Sequence, residues 1–151
     1  MLCALCHGAV SRDVEKWGRW LRLGRDQMTA CTQVVTRADA VARALRDGRG
    51  MRDSRLHALL SPLEPETVLY LYAGGDVRIR ERVARFSDEL WSARPSVSGD
   101  DLVAMGLTPS QAFSGILARA LADRLDGKVV GREAELSNLR RLAIAAGLDV
   151  K

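Results

Sequence analysis

From Phe113 onward, apolar residues recur at Ile116, Leu117, Ala120, Leu121 and Leu125, offsets of 3, 4, 7, 8 and 12. At about 3.6 residues per turn these positions fall on one stripe of a helix, whereas a strand would scatter them over both its faces. The same period returns along most of the chain. Val10, Val14, Trp17, Trp20, Leu21 and Met28 read as one apolar face, which puts both tryptophans in the core. Val34, Val35, Ala38, Val41, Ala42 and Leu45 form a second face, and Leu56, Leu59, Leu60 and Leu63 a short third. Ile79, Val83, Phe86 and Leu90 follow at spacings of 4, 3 and 4, and Leu136, Leu139 and Leu142 close the series. A chain written in this period buries its apolar surface by packing helix on helix. Aromatic residues make up only 5% of it, so Leu, Val and Ala must fill the interior. The expectation is an all-α bundle of about seven or eight helices.

Local signals punctuate that pattern. Gly48-Arg49-Gly50 interrupts the second face. Ser61-Pro62-Leu63-Glu64 has capping-box spacing, and Pro65 suits a first helical turn. Val68-Leu69-Tyr70-Leu71-Tyr72 has strand-like composition, but its short length and its flanks favour a helix. Gly74-Gly75 stops that helix and Asp76 can cap the next, which Pro95 ends. Ser98-Gly99-Asp100-Asp101 opens a short helix ending at Gly106, and Thr108-Pro109-Ser110-Gln111 offers a second capping box with Pro at the first helical position. Asp126-Gly127 and Gly131-Arg132-Glu133 bracket the last turn. The 151 residues suffice for one core or two small ones. A soft boundary near Pro95 divides a bundle over 1–95 from a smaller one over 96–151.

Charge is unevenly placed. Residues 1–60 hold 11 Lys/Arg against 6 Asp/Glu, residues 61–96 hold 5 against 6, and residues 97–151 balance at 7 against 7. Positive charge gathered in one part of a chain is the footprint of a polyanion binder. Arg supplies 20 of the 23 basic residues, and its planar fork suits phosphate. The plainer reading is an Arg-rich composition on solvated helix faces. Lys16, Arg19, Arg22 and Arg25 follow one another at spacings of 3 along one predicted helix, with Arg12 extending the ridge. Such a ridge can track a phosphate backbone, or it can be a solvent face partly neutralised by Asp13, Glu15 and Asp26.

Other motifs are explained without chemistry. Cys3-Ala4-Leu5-Cys6-His7 matches the spacing for covalent haem attachment or, with Cys31, a zinc site. Haem attachment requires export, yet Met1–Val10 lacks the basic start of a secretory leader, and no second paired motif completes a zinc site. Packed thiols in a reducing cytoplasm are the expectation. No apolar run approaches the ~18 residues of a membrane span. His57 reads as a partly exposed helix residue, and Asp100-Asp101 as acids placed where a helix start favours them. The helix starts at Thr108 and Gly131 expose amides that could meet phosphate, with capping the simpler account. A two-metal nucleotidyl-transfer site needs carboxylates on adjacent strands and a Gly-rich triphosphate turn, and neither can be placed here.

Ser98-Gly99-Asp100-Asp101-Leu102, Gly106-Leu107-Thr108-Pro109, Gly115-Ile116-Leu117, Asp126-Gly127 and Gly131-Arg132-Glu133 together resemble the C-terminal signature of bacterial tRNA nucleotidyltransferases of the poly(A) polymerase type. Leu60-Ser61-Pro62 through Ala73 and the Arg78–Arg94 helix are similar to the helices that precede it, so the likeness spans about residues 56–146. The sequence departs at Ser110-Gln111, where relatives often carry Gly-Pro, and at Asp100, often basic. The resemblance implies a CCA-adding, A-adding or poly(A)-synthesising enzyme. Its catalytic head would use Mg2+ and nucleoside triphosphates, while a helical body and tail hold tRNA. None of the head's motifs can be placed in this sequence, so no catalytic residue, cofactor or metal ligand is expected in it. The expected partners are tRNA or other structured RNA and the head of the same polypeptide, with Arg12, Lys16, Arg19, Arg22, Arg25 and Arg132 as phosphate-contact candidates. The alternative from another class is a helical interaction or oligomerisation module that does not bind RNA.

Overall fold

The computed structural model describes Cys6 and residues 8–148. Among these residues there are eight helices and no strand, as the periodicity requires. Helix α1 is Ser11–Leu21. Helix α2 is continuous through Arg25–Gln33, a π-helical segment Val34–Ala38 and Asp39–Asp47. Helix α3 is Asp53–Leu60, α4 Pro65–Gly74, and α5 joins Val77–Arg85 to a second π-helical segment Phe86–Leu90. Helices α6 (Gly99–Ala104), α7 (Ala112–Leu125) and α8 (Arg132–Ala145) complete the chain. Two compact units result. One holds the described part of Met1–Met51 with Leu56–Trp91, the other Arg52–Arg55 with the described part of Ser92–Lys151.

The first unit is assembled around α2, against which α1, α4 and α5 all pack. Val14 and Gly18, four residues apart on α1, face it. Gly18 allows a close approach, because a Cβ there would overlap the Met28 side chain. Cys6, Val14, Ala30, Cys31 and Val34 form one buried cluster, with Leu23, Met28 and Tyr70 laid against it. Phe86 and Leu60 are fully enclosed, and Phe86 takes His57 edge-on at 6.0 Å and Trp91 edge-on at 5.6 Å.

Side chains from α2 and toward it supply what the loops cannot. The capping box expected at Ser61 does not form: Glu64 precedes α4 with no side-chain cap, although Pro65 does occupy the first turn. The buried Gln33 substitutes from a distance, its Oε1 accepting from Glu64 N–H at 2.7 Å and its Nε2 donating to Pro62 O at 3.2 Å. Thr67, fully buried on α4, donates its hydroxyl to Ala30 O at 3.2 Å. At the other end of α2, the carbonyls that a helix terminus leaves unpaired accept from guanidinium groups of α5. Arg82 donates to Leu45 O and Gly48 O, and Arg78 donates to Arg46 O at 2.9 Å. Asp76 caps α5 as expected, accepting from Ile79 N–H at 3.0 Å, and it also accepts from Arg46 at 2.8 Å. The bond from Arg46 pushes the Asp76 carboxyl below its ordinary range.

The second unit packs α6, α7 and α8 around Leu102, Leu139, Ala143, Ala120 and Ile116. Helix α6 opens at Gly99 as the sequence placed it, Ser98 capping it and Asp101 Oδ2 accepting from Ser98 N–H at 2.7 Å to close a capping box. The box expected at Thr108 is a correction. Helix α7 begins only at Ala112, with no side-chain cap, and Phe113 N–H reaches back to Ser110 O in a tighter turn. Three polar side chains lie inside this unit. Glu135 accepts from Ser96 N–H at 2.7 Å and from Arg124 at 2.8 Å. Asp123 accepts from Lys128 at 2.6 Å and from Asn138 at 3.2 Å. Lys128 foremost, then the Asn138 bond, holds the Asp123 carboxyl below its ordinary 3.8 against the opposing effect of burial.

Two consequences are measurable. Gln33→Leu leaves Glu64 N–H and Pro62 O without their partner and lowers stability by about 1–3 kcal/mol in urea unfolding. A depressed carboxyl adds stability that is complete above the unfolded value and vanishes as pH falls through the folded one. Asp123→Asn is therefore less stable than the parent at neutral pH, and the gap closes as pH drops below 3.8. Unfolding curves at a series of pH values read both effects.

Candidate nucleic-acid interface

Arg12, Lys16 and Arg19 lie on α1 at spacings of four and three, the ridge spacing of an α-helix. Val14 and Gly18 face the core, so the ridge, about half a turn away from them, faces outward. All three side chains are exposed. The helix does not continue through the other two candidates. Arg22 is its C-cap in the left-handed region at φ 53, and Leu23 N–H closes the end onto Gly18 O at 2.9 Å. Leu23 then turns into the core cluster. Gly24 follows, its N–H held by Gln27 Oε1 at 3.0 Å, and Arg25 opens α2. The single five-residue ridge read from the sequence is thus three residues on α1, one on its cap and one on the next helix. Periodicity could not show the break, because Arg22 carries none of the usual signs of a left-handed cap.

Among the described residues none of these five cations has an ion-pair partner, and Asp13, Glu15 and Asp26 neutralise none of them by contact. Other basic side chains are engaged. Arg46, Arg78 and Arg82 close the end of α2, and Arg124 and Lys128 serve the buried acids of the second unit. Arg132, the remaining candidate, lies in that second unit and is bound internally. Its guanidinium donates to Asp101 and to Ser96 O, tying the start of α8 to the start of α6. The same bond accounts for Asp101, which together with its role in the cap explains that acid without a metal.

The tryptophans depart from their expected burial. Trp20 is 82% exposed and Trp17 40%, with Leu21 and Val10 also open. Of α1 only Val14 and Gly18 are buried, so the covered stripe is too narrow to take in both rings. His57 is half-buried on α3, as expected. Of the haem-like motif, Cys3 and His7 lie outside the described residues, while Cys6 and Cys31 are buried thiols in one cluster. Among the described residues no group of three His, Cys, Asp or Glu side chains could hold a metal ion, and no helix is long and apolar enough to cross a membrane. An open apolar groove on α4 and α5, lined by Val68, Leu69, Tyr72, Val83 and Trp91, has Asp88 as its one charged lining residue. Nothing there pairs an acid with a base.

No family model matches the chain, and no solved structure matches it. Over 97 residues, 64% of its length, the chain is 31% identical to a protein of Geobacter sulfurreducens named A-adding tRNA nucleotidyltransferase. It spans only 11% of that protein's length.

The division of the arginines has a direct check. Arg132→Ala breaks the tie between α6 and α8 and lowers stability by about 1–3 kcal/mol. Arg22→Gly relieves the left-handed cap and raises stability by about 0.5–1 kcal/mol. Thermal unfolding of the two variants should therefore shift in opposite directions.

Proposed function

We propose that this chain is the tRNA-holding helical portion of a nucleotidyltransferase that adds nucleotides to the 3′ end of tRNA, with the chemistry carried out by a head domain of the same polypeptide. The observation that carries the reading is the set of five exposed cations around α1 and the start of α2, none ion-paired among the described residues. The relation to a protein named for A-addition to tRNA supplies the partner. An all-helical scaffold with a cationic outer ridge fits structured RNA by shape and backbone charge rather than by base edges. Holding the RNA at a fixed distance from the reacting end contributes to catalysis by positioning alone. Mg2+ and nucleoside triphosphate belong to the head in this reading, and no step is assigned to this chain's residues. The working compartment is the cytoplasm, where tRNA ends are processed.

A second reading rests on the groove of α4 and α5, where Leu69 is 64% exposed and Trp91 45%. There the chain would be a helical interaction module, self-associating through apolar surface.

Filter binding of tRNA across a salt series separates the two. RNA binding through the ridge gives an affinity that falls linearly with salt on logarithmic axes. Replacing Arg12, Lys16 and Arg19 by Ala should weaken binding and flatten that slope by about 0.7–0.9 for each phosphate no longer neutralised. Absent or salt-independent binding overturns the proposal, and a stable dimer in sedimentation that ignores tRNA favours the second reading.

A further inference from the structure

We infer that Trp20 is a stacking platform for an unpaired nucleobase, set beside the cationic ridge that holds the phosphates on either side of it. The inference rests on the RNA-binding reading above and adds to it a preference for RNA with unstacked bases.

An 82% exposed indole on a regular helix needs a reason. Trp20 buries almost none of its large apolar surface within the chain, so folding gains little from it. It lies one turn beyond Lys16 and next in sequence to Arg19, both exposed and neither ion-paired among the described residues. Trp17, three residues before it and 40% exposed, extends the aromatic surface along the same side. Arg22, exposed, follows two residues later as the left-handed cap. An exposed indole with Lys16 one turn before it and Arg19 and Arg22 within two residues of it in sequence has the two parts that single-stranded nucleic acid requires: a π surface for the base and nearby cations for the flanking phosphates. A duplex offers the phosphates but keeps its bases stacked, so on a duplex the indole would go unused. An apolar partner would not call for the unneutralised charges around the ring, since desolvating them would oppose binding.

The test uses the full chain and two RNA probes, a hairpin with a polyuridine loop and a fully paired duplex of matching length. In a Trp17→Phe, Trp91→Phe background, Trp20 is the sole tryptophan fluorophore. The hairpin should quench its emission and the duplex should leave it nearly unchanged. Trp20→Ala should weaken hairpin binding by about tenfold or more while duplex binding stays within about twofold, and Trp20→Phe, which keeps a π face, should recover most of the affinity. Equal affinity of the parent and Trp20→Ala for the hairpin, or emission indifferent to it, overturns the stacking role while leaving phosphate binding intact. Failure of both probes and of tRNA to bind overturns the RNA-binding reading and this inference together.

Discussion

The first unit depends on burial of one stripe of α2. Ala30, Cys31, Val34, Ala38 and Leu45 are almost completely removed from solvent, and α1, α4 and α5 are held where they can cover them. Burial of aliphatic surface is non-directional, so it fixes proximity better than register. Register comes from the polar groups along the same helix. Gln33 fixes the entrance to α4, Thr67 fixes its first turn, and Arg78 and Arg82 draw α5 onto the open carbonyls at the end of α2. All but the exposed Arg78 bond are ones that a shifted helix would leave unmade in a partly or fully buried place, which makes the wrong register costly.

The second unit meets the same problem with charge. Its largest helices, α7 and α8, pair through apolar residues, yet Asp123 and Glu135 lie in the same interface with 4% and 3% of their surface open. A buried carboxylate is tolerable only with its oxygens occupied. Here Lys128, Asn138, Arg124 and Ser96 N–H occupy them. These bonds stabilise the pairing less by their own attraction than by excluding arrangements that would strand an acid.

The basic residues consequently form two populations with the same composition and different work. One population sits on helix carbonyls or on buried acids and belongs to the fold. The other is exposed with no ion-pair partner among the described residues: it includes the five cations on α1, at its cap and at the start of α2, and also Arg37, Arg43, Arg49, Arg55 and Arg80 elsewhere, and an unpaired cation gains little from folding. Its field adds up over neighbours and reaches a Debye length into solvent, about 8–10 Å at ordinary salt. Charge that the fold does not use is charge available to a polyanion.

What the sequence settled by itself was local. The helical period, the stops at Gly74-Gly75 and Asp126-Gly127, the cap at Asp76 and the helix start at Ser98 all depend on residues within one or two turns of each other, and these signals were legible. Even there the Thr108 box and the Ser61 box were misread, because a capping pattern is a capacity that tertiary contacts can displace. Tertiary structure alone decided which cations are engaged, since their partners lie far along the chain: Arg78 reaches Arg46 O 32 residues away, and Arg132 reaches Asp101 31 residues away. It also decided that Trp20 faces solvent. A hydrophobic period tells which residues share a helix face, but how much of that face is covered depends on the width of the neighbour it meets, and on α1 only Val14 and Gly18 are buried.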